Sequence, residues 1–172
     1  LEDTRSCVIK GPGYAWQHNS AMHTSLRHEA EILSYLEPNA HIPALYDLIE
    51  QDGDLFLVMQ DLEGETLDMR MANQRKLGYC SLQQALAWMI ELADILEHIH
   101  TQGVIYADVK PSNLIVNSQG QIYLIDFEHA HHFEEQGFKG GTPGYMSPQR
   151  KKGQVGICLL YTSDAADDLT RV

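Results

Sequence analysis

An α+β fold is predicted by three features of the sequence. A short β-rich run precedes an amphipathic helix, an Asp-Gly turn separates two apolar runs, and one long helix leads into a strand-rich stretch. Arg5 to Lys10 (RSCVIK) reads as the first strand. Ser25 to Leu36 carries Leu26, Ala30, Leu33 and Leu36 at helical spacing. Ala44 to Ile49 and Leu55 to Met59 are the next strands, joined through Asp52-Gly53, a pair that favours a tight hairpin turn. Ser81 to His100 predicts a long helix with Ser81 as N-cap, Gly103 past its end, and Leu82, Ala85, Met89, Leu92, Leu96 and Ile99 on one face. His98 and His100 close it, where imidazoles suit the C-terminal dipole.

The 172 residues, 44% of them hydrophobic, suffice for one core and allow one domain or a piece of one. Twelve Lys and Arg against 24 Asp and Glu give a net charge of -12, which argues against a general binder of nucleic acid or anionic membrane. No apolar run of about 18 residues is present to span a bilayer, and Leu1 to Lys10 lacks signal-peptide order, so a cytoplasmic location is expected. Cys7, Cys80 and Cys158 are too scattered for a disulfide framework and read as reduced thiols. Residues 158–172 (CLLYTSDAADDLTRV) change character abruptly and match the translation of a sequencing adapter, so they are expected not to be native.

The chemistry concentrates in Val104 to Asn113 (VIYADVKPSN), the runs Leu114 to Val116 and Ile122 to Ile125, and Asp126. A hairpin turn centred between Gln119 and Gly120 would set Asn113 opposite Asp126. A carboxylate and an amide oxygen at one hairpin mouth suit a hard cation such as Mg2+, which takes one or two protein oxygens beside phosphate and water. Asp108 and Lys110, just upstream, add a proton acceptor and a cation for phosphate. Gly11-Pro12-Gly13 reads as a plain connection rather than a phosphate loop. His129, His131 and His132 read as an exposed cluster rather than a metal site.

YADVKPSN, Asp126-Phe127-Glu128 and GTPGYMSPQ together resemble the catalytic loop, metal motif and substrate-binding segment of the protein kinase family. The resemblance runs from Arg5 to Gln149. It implies a two-lobe kinase fold, truncated: residues 1–62 as a partial small lobe and hinge, residues 63–157 as the first half of a large lobe, with residues 158–172 outside. An apolar face left on the long helix would make such a piece marginally stable. The implied cofactors are ATP and Mg2+, and the implied partner is a protein or peptide presenting Ser or Thr. By similarity, Asp108 orients the substrate hydroxyl and takes its proton, Lys110 steadies the phosphoryl group, and Asn113 and Asp126 hold metal. Lys10, in CVIK, corresponds to the lysine that contacts ATP phosphates, with Glu29 as its ion-pair partner. Leu33, Leu48, Tyr106 and Phe127 form the implied hydrophobic spine. Met59 is the implied gatekeeper, Gln60 to Leu62 the hinge, and Val8 and Ile115 contacts for adenine. Lys110 with Thr142 matches the serine/threonine-directed pattern.

The chain departs from that pattern at three places. Tyr106-Ala107 stands for His-Arg, which removes the arginine that would meet a phosphate on the activation segment. Glu128 stands for glycine, restricting the backbone there and adding a carboxylate expected near the metals. Gln149 stands for a glutamate. The implied activity is transfer of phosphate from ATP to Ser or Thr. The kinase domain of a lanthipeptide synthetase and a pseudokinase scaffold are the alternative readings.

Overall fold

A computed structural model of the chain describes residues 6–13, 16–74, 81–135 and 141–146. Arg5, Cys80, Cys158, Gln149 and the 158–172 segment, all named above, lie outside the described residues.

Strand β1 (Cys7–Lys10) and strands β2 (Leu45–Gln51) and β3 (Asp54–Gln60) form an antiparallel sheet in the order β1-β3-β2. Asp52 and Gly53 both take positive φ, 53° and 79°, and Gln51 pairs with Asp54, so the turn is the two-residue hairpin expected of Asp-Gly. Helix α1 (Ser20–Tyr35) packs on this sheet and buries Leu26, Glu29, Ala30, Ile32 and Leu33. It begins five residues before the expected start because Asn19 caps it, its side-chain oxygen accepting from the amides of Ala21 and Met22. Residues 20–24 hold a single large apolar residue, Met22, so periodicity alone does not reveal this first turn.

Past the sheet come β4 (Glu65–Thr66) and α2 (Leu67–Gln74), neither of them expected from the sequence. Helix α2 is eight residues long; Leu67 packs against the core while Met69 and Met71 are exposed. Helix α3 (Leu82–Thr101) has Ser81 as N-cap to the Gln84 amide and ends where Gly103 takes φ 79°. Its buried face matches the expected one at Leu92, Leu96 and Ile99 and differs toward the N-terminus. Trp88, Leu92, Ile95, Leu96 and Ile99 point inward, whereas Leu82 and Met89 are 74% and 67% exposed. The difference is decided by Trp88, whose indole N–H donates to the Gly120 carbonyl at 2.7 Å; a buried indole needs such a partner, and Met89 has no group that could replace it. His98 and His100 lie in the last turn as expected; His98 Nε2 is 3.2 Å from the Glu37 carbonyl oxygen, and burial lowers the His100 pKa.

Strands β5 (Val104–Ile105) and β8 (His131–His132) pair antiparallel. This corrects the exposed histidine cluster: His131 is fully buried because the ladder seats it opposite Ile105. Strands β6 (Leu114–Val116) and β7 (Ile122–Leu124) form the second hairpin, with β4 on the outer side of β6. One cluster of buried side chains runs from Leu26 and Leu57 through Leu96 and Ile99 to Leu124 and Phe127, joining the sheet half to the hairpin half. Leu33, Tyr106 and Phe127 belong to it and Leu48 packs against it. The result is a mixed α+β architecture. Among the described residues no helix is long and apolar enough to cross a membrane.

Candidate active site

The β6–β7 hairpin closes one residue tighter than expected. Leu114 pairs with Leu124 and Val116 with Ile122, and the Asn117 amide donates to the Gln121 carbonyl, so the loop is Ser118-Gln119-Gly120. Asn113 therefore faces Ile125, whose amide donates to the Asn113 carbonyl at 3.0 Å, and Asp126 lies one position beyond. The cause is local: Asn117 Oδ1 accepts from the amides of Gln119 and Gln121, and Gly120 takes φ 84°, which together favour a three-residue loop. Asp126 itself takes φ 65°, a left-handed conformation in which Asp is among the more tolerant residues.

Two polar networks meet around Tyr106. In the first, Lys10 at the end of β1 donates from Nζ to Glu29 Oε2 at 2.7 Å and to Asp126 Oδ1 at 2.8 Å. Glu29 uses its other oxygen to accept from the Phe127 amide at 3.0 Å. The Glu29 side chain is 1% exposed, those of Lys10 and Asp126 33% and 27%, so a ligand can reach the lysine and the aspartate but not the glutamate. Burial pulls the Lys10 ammonium down, yet the charges of Glu29 and Asp126 outweigh it and the net direction is up. Burial pushes the Glu29 carboxyl up, and the opposing Lys10 charge leaves it raised.

In the second network Asp108 is the hub. Its Oδ2 accepts from Lys110 Nζ at 2.6 Å and from Asn113 Nδ2 at 3.2 Å, and its Oδ1 accepts from the Thr142 amide at 2.7 Å. Lys110 also donates to Thr142 Oγ1 at 2.8 Å. Burial works to raise the Asp108 carboxyl, but the bonds from Lys110 and Thr142 and the Lys110 charge win and hold it below the usual carboxylate value. The loop that presents Asp108 is bent by Ala107 at φ 62°, and Asn113 is set by a 3-10 turn over Pro111–Asn113. Asn113 spends its amide nitrogen on Asp108, which leaves the amide oxygen as its acceptor end.

Tyr106 lies between the networks. Its hydroxyl donates to the Ile125 carbonyl, and its ring meets Phe127 edge-on at 5.1 Å. Its pKa is raised well above the ordinary value by burial first and then by the charge of Asp126, with Asp108 and Glu29 adding to the rise. A neutral phenol thus feels all three carboxylates of the two networks, Glu29, Asp108 and Asp126. A carboxylate on Asp126 and an amide oxygen on Asn113, beside one reachable ammonium, are a donor set that fits Mg2+ carried on phosphates.

The residues expected on the adenine side stand apart from these networks. Val8 faces Met59 across the β1–β3 ladder, Met59 and Leu62 are buried, and Ile115 sits on β6 between Thr66 and Tyr123. The Gln60 amide donates to the Ala44 carbonyl at 2.9 Å, so it is committed to the sheet. The Glu128 carboxylate accepts from Ser25 Oγ at 3.4 Å and lies 3.5 Å from His129 Nε2. Two features were missed in the sequence: the Thr142 backbone amide on Asp108, and His28, whose Nε2 lies 2.6 Å from the Ala130 carbonyl oxygen. The first is a main-chain contact with no residue signature. The second has one, since His28 adjoins Glu29 on α1.

A family model described as "Protein kinase domain" matches residues 7–155. The serine/threonine-protein kinase PknH of Mycobacterium bovis is 32% identical over 130 residues, covering 73% of this chain and 21% of that protein. The serine/threonine-protein kinase PknD of Mycobacterium tuberculosis is 30% identical over 172 residues, covering 95% of this chain and 25% of that protein. A probable cAMP-dependent protein kinase catalytic subunit of Encephalitozoon cuniculi is 31% identical over 130 residues, 75% of this chain and 39% of that protein. The chain spans about a fifth to a quarter of the length of the two mycobacterial relatives.

Proposed function

The chain belongs to the protein kinase family, and from that premise we propose that it carries the catalytic centre of a serine/threonine protein kinase, moving phosphate from ATP to a Ser or Thr hydroxyl of a protein or peptide. The observation that carries this reading is the Asp108 hub, which ties Lys110, Asn113 and Thr142 together beside the Lys10, Glu29 and Asp126 network. Because the reaction draws on ATP, we assign it to the cytoplasm.

Each residue then has a task that its surroundings equip it for. Lys10, reachable and cationic, neutralises charge on the ATP phosphates, while buried Glu29 holds it in place. Asp126 and Asn113 supply the oxygens that would hold Mg2+, and that ion, when bound, neutralises the charge of the phosphates. Asp108 receives the substrate hydroxyl. With its carboxyl held below the ordinary value it is a weak base, so it orients the hydroxyl first and accepts the proton late, which suits a phosphoryl transfer with a loose transition state. Lys110, already on Asp108 and Thr142, is placed to steady the phosphoryl group as it arrives. Met59, Gln60 and Leu62, with Val8 and Ile115, are assigned to the adenine side.

The test is radiolabel transfer from Mg-ATP to a Ser/Thr peptide pool by the full-length protein and its Asp108→Asn variant. Transfer that falls by roughly 10²- to 10⁴-fold in the variant is expected for loss of a positioned base. A wild-type protein that binds Mg-ATP and transfers nothing, to peptides or to itself, would make it a pseudokinase; full transfer by Asp108→Asn would refute that residue's role.

A further inference from the structure

Helix α1 meets the chain that follows Asp126 along a single stripe. Positions 25, 28, 29 and 35 lie on one side of a 3.6-residue helix, and each touches residues 127–132. Ser25 Oγ donates to Glu128 Oε2 at 3.4 Å, His28 reaches the Ala130 carbonyl at 2.6 Å, Glu29 accepts from the Phe127 amide at 3.0 Å, and the Tyr35 ring stands edge-on to His132 at 4.7 Å. The middle two contacts form a closed ring. Phe127 to Ala130 is a turn in which the Ala130 amide donates to the Phe127 carbonyl at 3.0 Å. Its first amide is held by Glu29 and its last carbonyl by His28, so neighbouring residues of α1 grip both ends of one turn.

A carbonyl can only accept, so His28 Nε2 carries the proton in this contact whether the ring is neutral or charged. Ala130 is 1% exposed and Phe127 is fully buried, so removing the imidazole leaves a buried acceptor without that donor. The buried apolar face of α1 seats the helix on the sheet, and Glu29 by itself fixes only one end of the Phe127–Ala130 turn against it. His28, about 100° around the helix, fixes the other end. Glu128 adds a third hold one helical turn earlier, through Ser25.

We propose that His28 is a positioning residue for the catalytic centre: by clamping the Phe127–Ala130 turn it fixes the depth and rotation at which Glu29 meets Lys10, with no phosphate on the chain needed to do so. The proposal rests on the kinase reading.

The test compares His28→Phe, His28→Asn and His28→Gln in the full-length protein, kept unphosphorylated. Gln carries an N–H at a reach close to that of Nε2; Asn is one methylene short; Phe keeps the ring without a donor. The expected result is a KM for Mg-ATP raised roughly five- to tenfold in the Phe and Asn variants, the effect of one lost hydrogen bond, with recovery in the Gln variant. Amide exchange over residues 20–35 should quicken in the same two variants and not in the third. Should His28→Phe fail to fold, the Asn and Gln pair decides. Equal behaviour of Gln and Asn, or wild-type KM and exchange in all three, overturns the clamp. If the wild-type protein transfers no phosphate, the kinase reading falls, and exchange over residues 20–35 still decides whether His28 holds the helix.

Discussion

Ala107 is the residue whose local conformation is hardest to explain by its own chemistry. At φ 62° it occupies a region that costs an L-residue about 1–2 kcal/mol, and unlike Asp126 it has no polar side chain to compensate. What holds it there is its setting: Tyr106 on one side is buried and bonded to the Ile125 carbonyl, and Asp108 on the other is held by Lys110, Asn113 and Thr142. The strain is therefore imposed by the groups it places. Ala107→Gly should relieve it, raising stability by at most about 1 kcal/mol because glycine also loosens the unfolded chain. Denaturant midpoints at constant slope are the measurement, and a variant no more stable than the wild type would mean the neighbours have already relaxed the bend.

At the scale of elements, the entry to α1 is tied to the sheet by Asp54, the first residue of β3. Its buried carboxylate accepts from the His18 amide at 2.6 Å and from His23 Nε2 at 3.0 Å. The His18 bond, helped by His23 and opposed by burial, holds the Asp54 carboxyl below its ordinary 3.8. A carboxyl whose pKa is lower in the folded chain than in the unfolded one stabilises the fold at pH above the unfolded value. That stabilisation is lost as pH falls through the folded value. Asp54→Asn should accordingly show a flatter loss of stability than the wild type when urea midpoints are followed from about pH 5 to about pH 3. Parallel curves would show that the tie does not depend on the carboxylate. The elements that could be read in the sequence are those whose signal is carried by side chains: the Asp52-Gly53 hairpin, the Ser81 cap and the strand that ends at Lys10. The inward face of α3 could be read at Leu92, Leu96 and Ile99 but not at Trp88, which turns inward through its indole bond to a glycine 32 residues away. The register of the second hairpin was misread by one because Asn117 folds the loop with its own side chain. Strand β4 was missed for a related reason: Gly64 lets it lie against β6 so closely that a Cβ there would sit 2.6 Å from the Val116 carbonyl, and a lone glycine does not announce that approach.

Across the whole molecule, Lys10, Glu29, Asp108, Lys110, Asn113 and Asp126 were all legible as candidates, because each is a charged or amide side chain at a motif position. What was not legible is how they are held, since the Thr142 amide, the Phe127 amide and the Ala130 carbonyl belong to the backbone. One buried cluster underlies both polar networks, from Leu57 and Leu33 through Phe127 and Tyr106 to Ile99, so a ligand bridging the networks would be coupled to the packing of both halves. A ligand bound only by the folded chain raises stability by RT ln(1 + [L]/Kd), about 2.7 kcal/mol at a hundred times Kd. ATP with Mg2+ should thus raise the melting temperature of the full-length protein, and chelating the metal should remove most of the rise. Asp126→Asn lacks the carboxylate that would hold the ion and leaves Lys10 paired with Glu29 alone, so its shift should be small and nearly the same with or without Mg2+. Asp108→Asn, which on the proposed reading removes only the group that receives the substrate hydroxyl, should keep the Mg2+-dependent rise while phosphate transfer falls. Equal melting shifts for Asp126→Asn and wild type would remove Asp126 from the metal site; loss of the shift in Asp108→Asn would mean that the two networks act as one binding unit rather than dividing nucleotide from hydroxyl.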